Sequence, residues 1–320
     1  MLMKPLKGIH HVSALTASAK NNLYFYTEIL GMRLVKKTVN QDSPSMYHLF
    51  YADERGNPGT DFTFFEIPHA AKTYKGSQSI SLTSLRVPSD KAIYYWEERL
   101  SSFQVTVEQP RNKFGRLTLD FEDFEGQRVQ LISDETNSGV AGGRPWSGSN
   151  VPVHFAIYGL GPVRLSVKKP HKTKFVLEEV LGFQETGSYE DNGENYLVFS
   201  TGEGGTGAEV HVMEDLSASE RPGRGSVHHV AFRVDDSEEL KKWHSLINEK
   251  GYANSGIVER YYFESLYFRE PNGILYELAT DGPGFESDES FEELGKNLAL
   301  PPFLETKREE IQAALKPLNN

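Results

Sequence analysis

The sequence predicts an α+β fold built from four copies of one βαβββ unit. Three observations predict it. A strand-like opening with His-His-Val occurs twice, in IHHVSALT (9–16) and VHHVAFRV (227–234). Each of four such openings is followed by apolar residues at helical spacing. Each copy then closes on an apolar, strand-like segment, so the chain repeats one pattern throughout.

The first copy opens with IHHVSALT, places Leu23, Tyr26 and Leu30 on one helical face before Gly31, and closes with DFTFFEIP. The second opens with SISLTSLRV; Ser89 is its helix N-cap, Ile93, Trp96 and Leu100 form the stripe, and GQRVQLI closes it. The third opens with GPVRLSV, carries Val176, Leu177, Val180 and Leu181 before Gly182, and closes with GAEVHVM. The fourth opens with VHHVAFRV. There Asp236 and Glu239 have capping-box spacing, Leu240, Trp243 and Ile247 form the stripe, Gly251 ends the helix, and NGILYELAT is the last strand. The echoes EILGM against EVLGF and SLRV against AFRV support the division.

An N-terminal half, 1–138, thus holds modules at about 8–68 and 79–134, and a C-terminal half, 151–280, holds modules at about 153–215 and 226–280. Residues 139–150, inside the glycine-rich TNSGVAGGRPWSGSN, read as a linker. Residues 281–320 form a helical tail with a stripe of Ile311, Leu315 and Leu318, and Leu300, Phe303 and Leu304 predict that it packs on the body.

The 320 residues carry a net charge of −11, which opposes binding to nucleic acid or an anionic membrane. No apolar run is long enough to span a bilayer, and the opening MLMKPLKGIHHV lacks the features of a secretory signal, so a cytoplasmic location is expected. There are no cysteines, so any metal must be held by nitrogen and oxygen ligands.

The four βαβββ copies resemble the vicinal oxygen chelate superfamily, which includes glyoxalase I, bleomycin-resistance proteins and extradiol dioxygenases. The resemblance implies two cupped mixed sheets, each made of two modules, with a metal inside a cup. Strand alternation then decides which side chains face the cup. His11 and His229 occupy equivalent places on the first strands, with Leu82 in the second module and Arg164 or a neighbour in the third. His10 and His228 precede them and are expected on the opposite face unless the strand is bulged. On the closing strands, the fourth residue after a glycine gives Glu277, Gln130 and His211, and Glu66 is assigned the matching place in the first module. Only modules one and four pair a histidine with a carboxylate, so these two are expected to share the metal cup. His11, His229 and Glu277 are the expected ligands. Two imidazoles and one carboxylate suit iron(II) and leave positions open for substrate and dioxygen, with manganese, nickel or zinc as alternatives.

A closer resemblance rests on GIHHVSALT, VHHVAFRV and ERYYFESLYFREPNGILYELAT (259–280). Together these look like the hydroquinone-cleaving branch of the superfamily, the 2,6-dichlorohydroquinone 1,2-dioxygenase and Mhq-type ring-cleaving enzymes. The resemblance implies an extradiol-type dioxygenase acting on a small aromatic diol with dioxygen. It implies His11, His229 and Glu277 as iron ligands, and His10, His228, Arg260 and Tyr267 as the catalytic groups around them; Ser13 stands where relatives use a small hydroxyl residue. Detoxification or catabolism of aromatic compounds follows from the resemblance alone. A glyoxalase-like isomerase or lyase, with Glu66 as a fourth ligand, is the alternative enzyme; a metal-free module that sequesters an aromatic ligand is the alternative of another class. The sequence leaves oligomeric state open, a homo-oligomer included. His154 lies outside the matched positions and reads as structural, and His48, His69, His171 and His244 have no paired context.

Overall fold

Strand propensity and helix caps place sixteen strands and five α-helices in the computed structural model, which describes residues 3–318. The first module comprises β1 (Ile9–Thr16), α1 (Ala19–Tyr24) continuing into a π-helical turn at Phe25–Ile29, β2 (Arg33–Asn40), β3 (Ser43–Ala52) and β4 (Asp61–Glu66). The second comprises β5 (Ser79–Val87), α2 (Asp90–Ser102), β6 (Arg111–Lys113), β7 (Arg116–Glu122) and β8 (Arg128–Ser133). The third comprises β9 (Leu160–Val167), α3 (Pro170–Phe175) with a π-helical turn at Val176–Val180, β10 (Gln184–Asp191), β11 (Glu194–Ser200) and β12 (Glu209–Glu214). The fourth comprises β13 (Val227–Val234), α4 (Ser237–Glu249), β14 (Asn254–Glu259), β15 (Glu264–Arg269) and β16 (Leu275–Thr280). The tail ends in α5 (Arg308–Ala314).

Local chemistry starts and stops these helices. Ser89 accepts a hydrogen bond from the Ala92 N–H and Asp236 from that of Glu239, so each satisfies a donor that the first turn leaves free. Ile93, Trp96 and Leu100 on α2, and Leu240, Trp243 and Ile247 on α4, are buried. In the EILGM and EVLGF echoes, the chain leaves a π-helical turn through Gly31 at φ +68° and Gly182 at φ +73°, a conformation in which a Cβ is strained. Apolar spacing indicates the helices but not the π-turns, because one inserted residue changes the local period without removing the stripe.

The strands form two mixed eight-stranded sheets, in the orders β14-β15-β16-β13-β1-β4-β3-β2 and β10-β11-β12-β9-β5-β8-β7-β6. Each sheet therefore joins one module from each half of the chain. Antiparallel pairs, β1 with β13 and β5 with β9, form the two central seams. Residues 139–150 hold no helix or strand but are tied down: Val140 and Gly143 donate backbone N–H bonds of 2.7 Å to Gly204 and Tyr158, and Arg144 N donates to Asp53 at 2.9 Å.

The tail closes one end of the first sheet. Phe285 and Leu294 pack with Val35, Phe50, Tyr262 and Phe263. Lys36 Nζ, fully buried on β2, donates to Phe285 O at 3.1 Å and to Asp288 and Glu289 at 2.6 and 2.5 Å. Farther along, Leu300, Leu304, Ile311 and Leu315 are buried, whereas Phe303 is exposed. No helix of the described residues is long and apolar enough to cross a membrane.

Lys36→Ala removes a fully buried cation from two partly exposed carboxylates. It is expected to lower unfolding stability by about 3 kcal/mol, the scale for breaking a buried ion pair, as read by urea denaturation. A loss under 1 kcal/mol would mean that the tail is held by its apolar contacts alone.

Candidate metal centre

The central seam of the first sheet has a local twofold relation. Val12 faces Val230, His11 faces Ala231, and Ser13 faces His229. His11 and His229, 218 residues apart in sequence, thereby become symmetry mates with their Nε2 atoms 3.1 Å apart.

Strict alternation would send His10 and His228 to the far face unless the strand is twisted or bulged, and the structure has a bulge at each. Pairing steps from Ile9–Phe232 to His11–Ala231, leaving His10 as an extra residue; it steps from Ser13–His229 to Ala14–Val227, leaving His228 as its counterpart. Each extra residue makes a β-bulge, where two residues oppose one and alternation is interrupted. Both imidazoles of each pair then meet: His10 Nδ1 lies 3.0 Å from His11 Nδ1, and His228 Nδ1 lies 2.7 Å from His229 Nδ1.

Glu277 arrives from β16, beside Ala231 of β13. Its Oε2 lies 3.1 Å from His11 Nε2 and 2.9 Å from His229 Nε2, and all three side chains are buried. Ser265 donates to the other oxygen, Oε1, at 2.5 Å. Oε2 has no hydrogen-bond donor. Burial by itself would raise the Glu277 carboxyl; the facing imidazoles of His11 and His229 outweigh it and hold the group well below the usual carboxylate range.

Hydrogen-bond logic fixes which nitrogen of His11 donates to His10. His10 Nε2 lies 3.0 Å from Thr280 O, an acceptor only, so this nitrogen carries the hydrogen. Burial, then the neighbouring His11, push the His10 imidazole down to about 3, so it is neutral and its Nδ1 is bare. His11 Nδ1 must therefore be the donor in the contact between them, which leaves Nε2 as the nitrogen turned toward Glu277 and His229. Burial likewise lowers His229, which favours its neutral form. The buried carboxylate oxygen Oε2, which has no hydrogen bond of its own, and the two imidazole nitrogens within about 3 Å of it form an arrangement that a bound cation satisfies. The donor set of two nitrogens and one oxygen fits a divalent transition metal with positions left open.

Above these atoms opens a cavity of about 350 Å³. Phe50, Phe65, Phe263 and Leu275 give it apolar walls. Tyr267 pairs with Glu277 across β15 and β16, its ring 5.7 Å from that of His229. Burial, then the charge of Glu277, push the Tyr267 phenol above its ordinary range, so it stays protonated. Arg260 lies 3.4 Å from the Tyr267 hydroxyl through Nε and 3.1 Å from Asp42 through Nη1. His228 is exposed and lines the cavity. His10 does not line it: its ring is enclosed against His11, Phe263 and Thr280 O.

The assignment of Glu66 is corrected. On β4, Ser13 faces Thr63, just as Ala231 faces Glu277, so Thr63 and not Glu66 occupies the matching corner. Glu66 lies three residues farther on, beside Thr16, and its Oε1 accepts the Ala19 N–H at 2.9 Å at the start of α1. Counting four residues from Gly59, as from Gly273, gives Thr63; the assignment of Glu66 departed from that count.

His48, set aside for want of a partner, lies in the cavity wall stacked against Phe65 with ring centroids 4.0 Å apart. Its Nε2 meets Thr63 Oγ1 at 3.0 Å, and Thr63 meets Ser13 Oγ at 2.8 Å. Alternation in YHLFYA does put His48 and Phe50 on one face, but only pairing with β4 shows which face that is. In the second sheet, Leu82, Gln130 and His211 take the corresponding corners, and Pro162, not Arg164, stands in the place of His229. Gln130 donates to Asp120 at 2.7 Å, and His211 lies 3.3 Å from Glu209 and 3.0 Å from the Tyr189 hydroxyl.

Comparison with known proteins agrees with this architecture. Residues 8–131 and 159–278 match the family model described as the Glyoxalase/Bleomycin resistance protein/Dioxygenase superfamily. The chain is 54% identical to the Bacillus subtilis (strain 168) protein named "Putative ring-cleaving dioxygenase MhqA", over 98% of this chain and 99% of that one. It is 32% identical to a Sphingobium indicum chlorohydroquinone/hydroquinone 1,2-dioxygenase, over 97% of this chain and 96% of that one. A crystal structure of a "putative dioxygenase" from Bacillus subtilis superposes with a TM-score of 0.89 at 34% identity, covering 98% of each chain. Glyoxalase I from Zea mays shares the fold, with a TM-score of 0.61 at 14% identity over 86% of this chain and 92% of that one.

His10→Phe removes the acceptor that orients His11 and is expected to weaken iron(II) binding about 10- to 100-fold, measured by anaerobic competition with a chromophoric chelator. Glu66→Ala is expected to leave iron affinity unchanged while costing about 1 kcal/mol of stability through the lost bond to α1. The opposite pattern would place Glu66 on the metal.

Proposed function

The chain belongs to the glyoxalase/bleomycin resistance protein/dioxygenase superfamily, and on that premise we propose that it is an iron(II)-dependent, extradiol-type dioxygenase that opens the ring of a hydroquinone or catechol. The observation that carries the reading is the convergence of His11, His229 and Glu277 beneath an aromatic-walled cavity. Likeness to a chlorohydroquinone/hydroquinone 1,2-dioxygenase supports the substrate class.

In this reading His11, His229 and Glu277 hold the ion. Bound there, iron(II) supplies a Lewis-acidic, redox-active centre that favours the ionised diol and activates dioxygen. The protein supplies position, charge and proton handling. The cavity is at the small end of the range for ligand sites, which suits a single ring gripped by Phe50, Phe65 and Phe263. The protonated Tyr267 phenol donates a hydrogen bond to a diol oxygen and orients it. Arg260 places fixed positive charge beside that oxygen, and its ion pair with Asp42 keeps the guanidinium in the wall. His228, at the exposed rim, takes the hydroxyl proton and returns it to solvent or product. His10 acts through His11, holding its ring with Nε2 turned toward the ion.

The four-ligand, glyoxalase-like alternative is weakened by the engagement of Glu66 with Ala19. Simple sequestration of an aromatic compound needs no ligand set at all.

Anaerobic reconstitution with iron(II), addition of methylhydroquinone and admission of air are expected to give oxygen uptake matched to diol consumed. No uptake across a panel of para- and ortho-diols would overturn the proposal. Tyr267→Phe is expected to lower kcat by about 10²-fold or more with metal content unchanged. Glu277→Ala is expected to abolish iron binding and activity together.

A further inference from the structure

Thr63 stands where the local symmetry of the first sheet calls for a second carboxylate. β4 lies beside β1 as β16 lies beside β13, with Ser13–Thr63 matching Ala231–Glu277. The next strands obey the same relation: Phe50 faces Thr63 as Tyr267 faces Glu277, and His48 faces Phe65 as Ser265 faces Ala279. Hydrogen bonding follows the register. Ser265 Oγ donates to Glu277 Oε1, and His48 Nε2 meets Thr63 Oγ1 from the equivalent position. Three backbone relations and one side-chain contact therefore assign Thr63 independently of any count along the sequence.

We infer that Thr63 is a specificity-determining residue which keeps the fourth protein corner of the metal site empty, reserving it for an oxygen of the substrate. The inference rests on the reading of His11, His229 and Glu277 as ligands and goes beyond it. A glutamate at 63 would add a second carboxylate, cancelling the remaining positive charge of a divalent ion and occupying a position that an ionised diol needs. Threonine instead ends in a hydroxyl held by Ser13 at 2.8 Å and His48 at 3.0 Å. Both of those neighbours line the cavity, so a longer side chain at 63 has open space to enter. The same pair offers hydrogen-bonding groups beside whatever oxygen takes the corner. Carboxylate at Glu277 and hydroxyl at Thr63 thus break the symmetry of the cup into a protein-filled side and a substrate-filled side.

The test is a ligand swap on the full chain, read by nickel(II) affinity in competition with a chromophoric chelator, with circular dichroism as the check on folding. Glu277→Thr alone is expected to weaken nickel binding at least 100-fold. Adding Thr63→Glu to that variant is expected to return affinity to within tenfold of the unsubstituted chain, because the local twofold exchanges the two corners. Thr63→Glu alone is expected to tighten nickel binding at least tenfold. A folded double variant that binds no better than Glu277→Thr would overturn the inference. Thr63→Val, nearly isosteric, serves if the glutamate variants do not fold: affinity within twofold of the unsubstituted chain supports an empty corner, and a tenfold loss overturns it by making Thr63 a ligand itself. Absence of nickel binding by the unsubstituted chain, with iron(II) binding absent too, would instead overturn the ligand reading, and this inference with it.

Discussion

The antiparallel seam between β1 and β13 is the constraint on which the metal centre depends. It brings together two strands 218 residues apart and sets His11 opposite Ala231, two residues from its symmetry mate His229. Two bulges in that seam do the rest. Without them, His10 and His228 would sit behind the sheet, His11 would lose the acceptor for its Nδ1 hydrogen, and His228 would not reach the cavity. The same two register shifts recur in the seam of the second sheet, so the bulges belong to the repeated frame and the first sheet places histidines on them.

The second sheet shows what the same frame becomes without a ligand set. Its central seam has comparable register shifts, yet the corners carry Leu82, Pro162, Gln130 and His211. Polar side chains there are consumed by one another: Arg116 donates to both oxygens of Glu209 at 2.6 and 2.7 Å, and Lys113 pairs with Asp120 and Asp191 at 2.6 and 3.2 Å. Buried polar groups persist when paired. In the first sheet His11, His229 and Glu277 turn toward one another, and Glu277 Oε2 has no hydrogen bond. That difference separates a structural cup from one that holds an ion.

Rigidity around the centre comes from contacts remote from it. Lys36 fixes the tail segment whose Phe285 packs on Phe50 and Tyr262, with ring centroids 5.0 and 5.2 Å apart. Phe50 and Tyr262 in turn line the cavity. The tail therefore shapes the site without reaching it. Arg260 and Asp42 join the β2–β3 turn to the β14–β15 turn on the opposite edge of the same sheet, giving the cavity a polar wall.

The sequence by itself determined the four-module repeat, the helix caps at Ser89 and Asp236, and the residue types of the ligand set. Those features are local: apolar spacing, a side chain three residues from the donor it caps, and a histidine pair followed by valine are all visible within one segment. The chemistry of His11, His229 and Glu277 was legible because each lies in an apolar strand where a polar group demands a partner. Only the tertiary structure decided that His10 and His228 turn to the same side as their neighbours and that His48 stands in the cavity wall, whereas Thr63 at the fourth corner was within reach of the count from Gly59. The placement of these histidines depends on register between strands, and register is set by the partner strand and the intervening turn. A side chain's face follows from its own sequence while alternation holds; once a bulge shifts the pairing, only the neighbouring backbone fixes where it points.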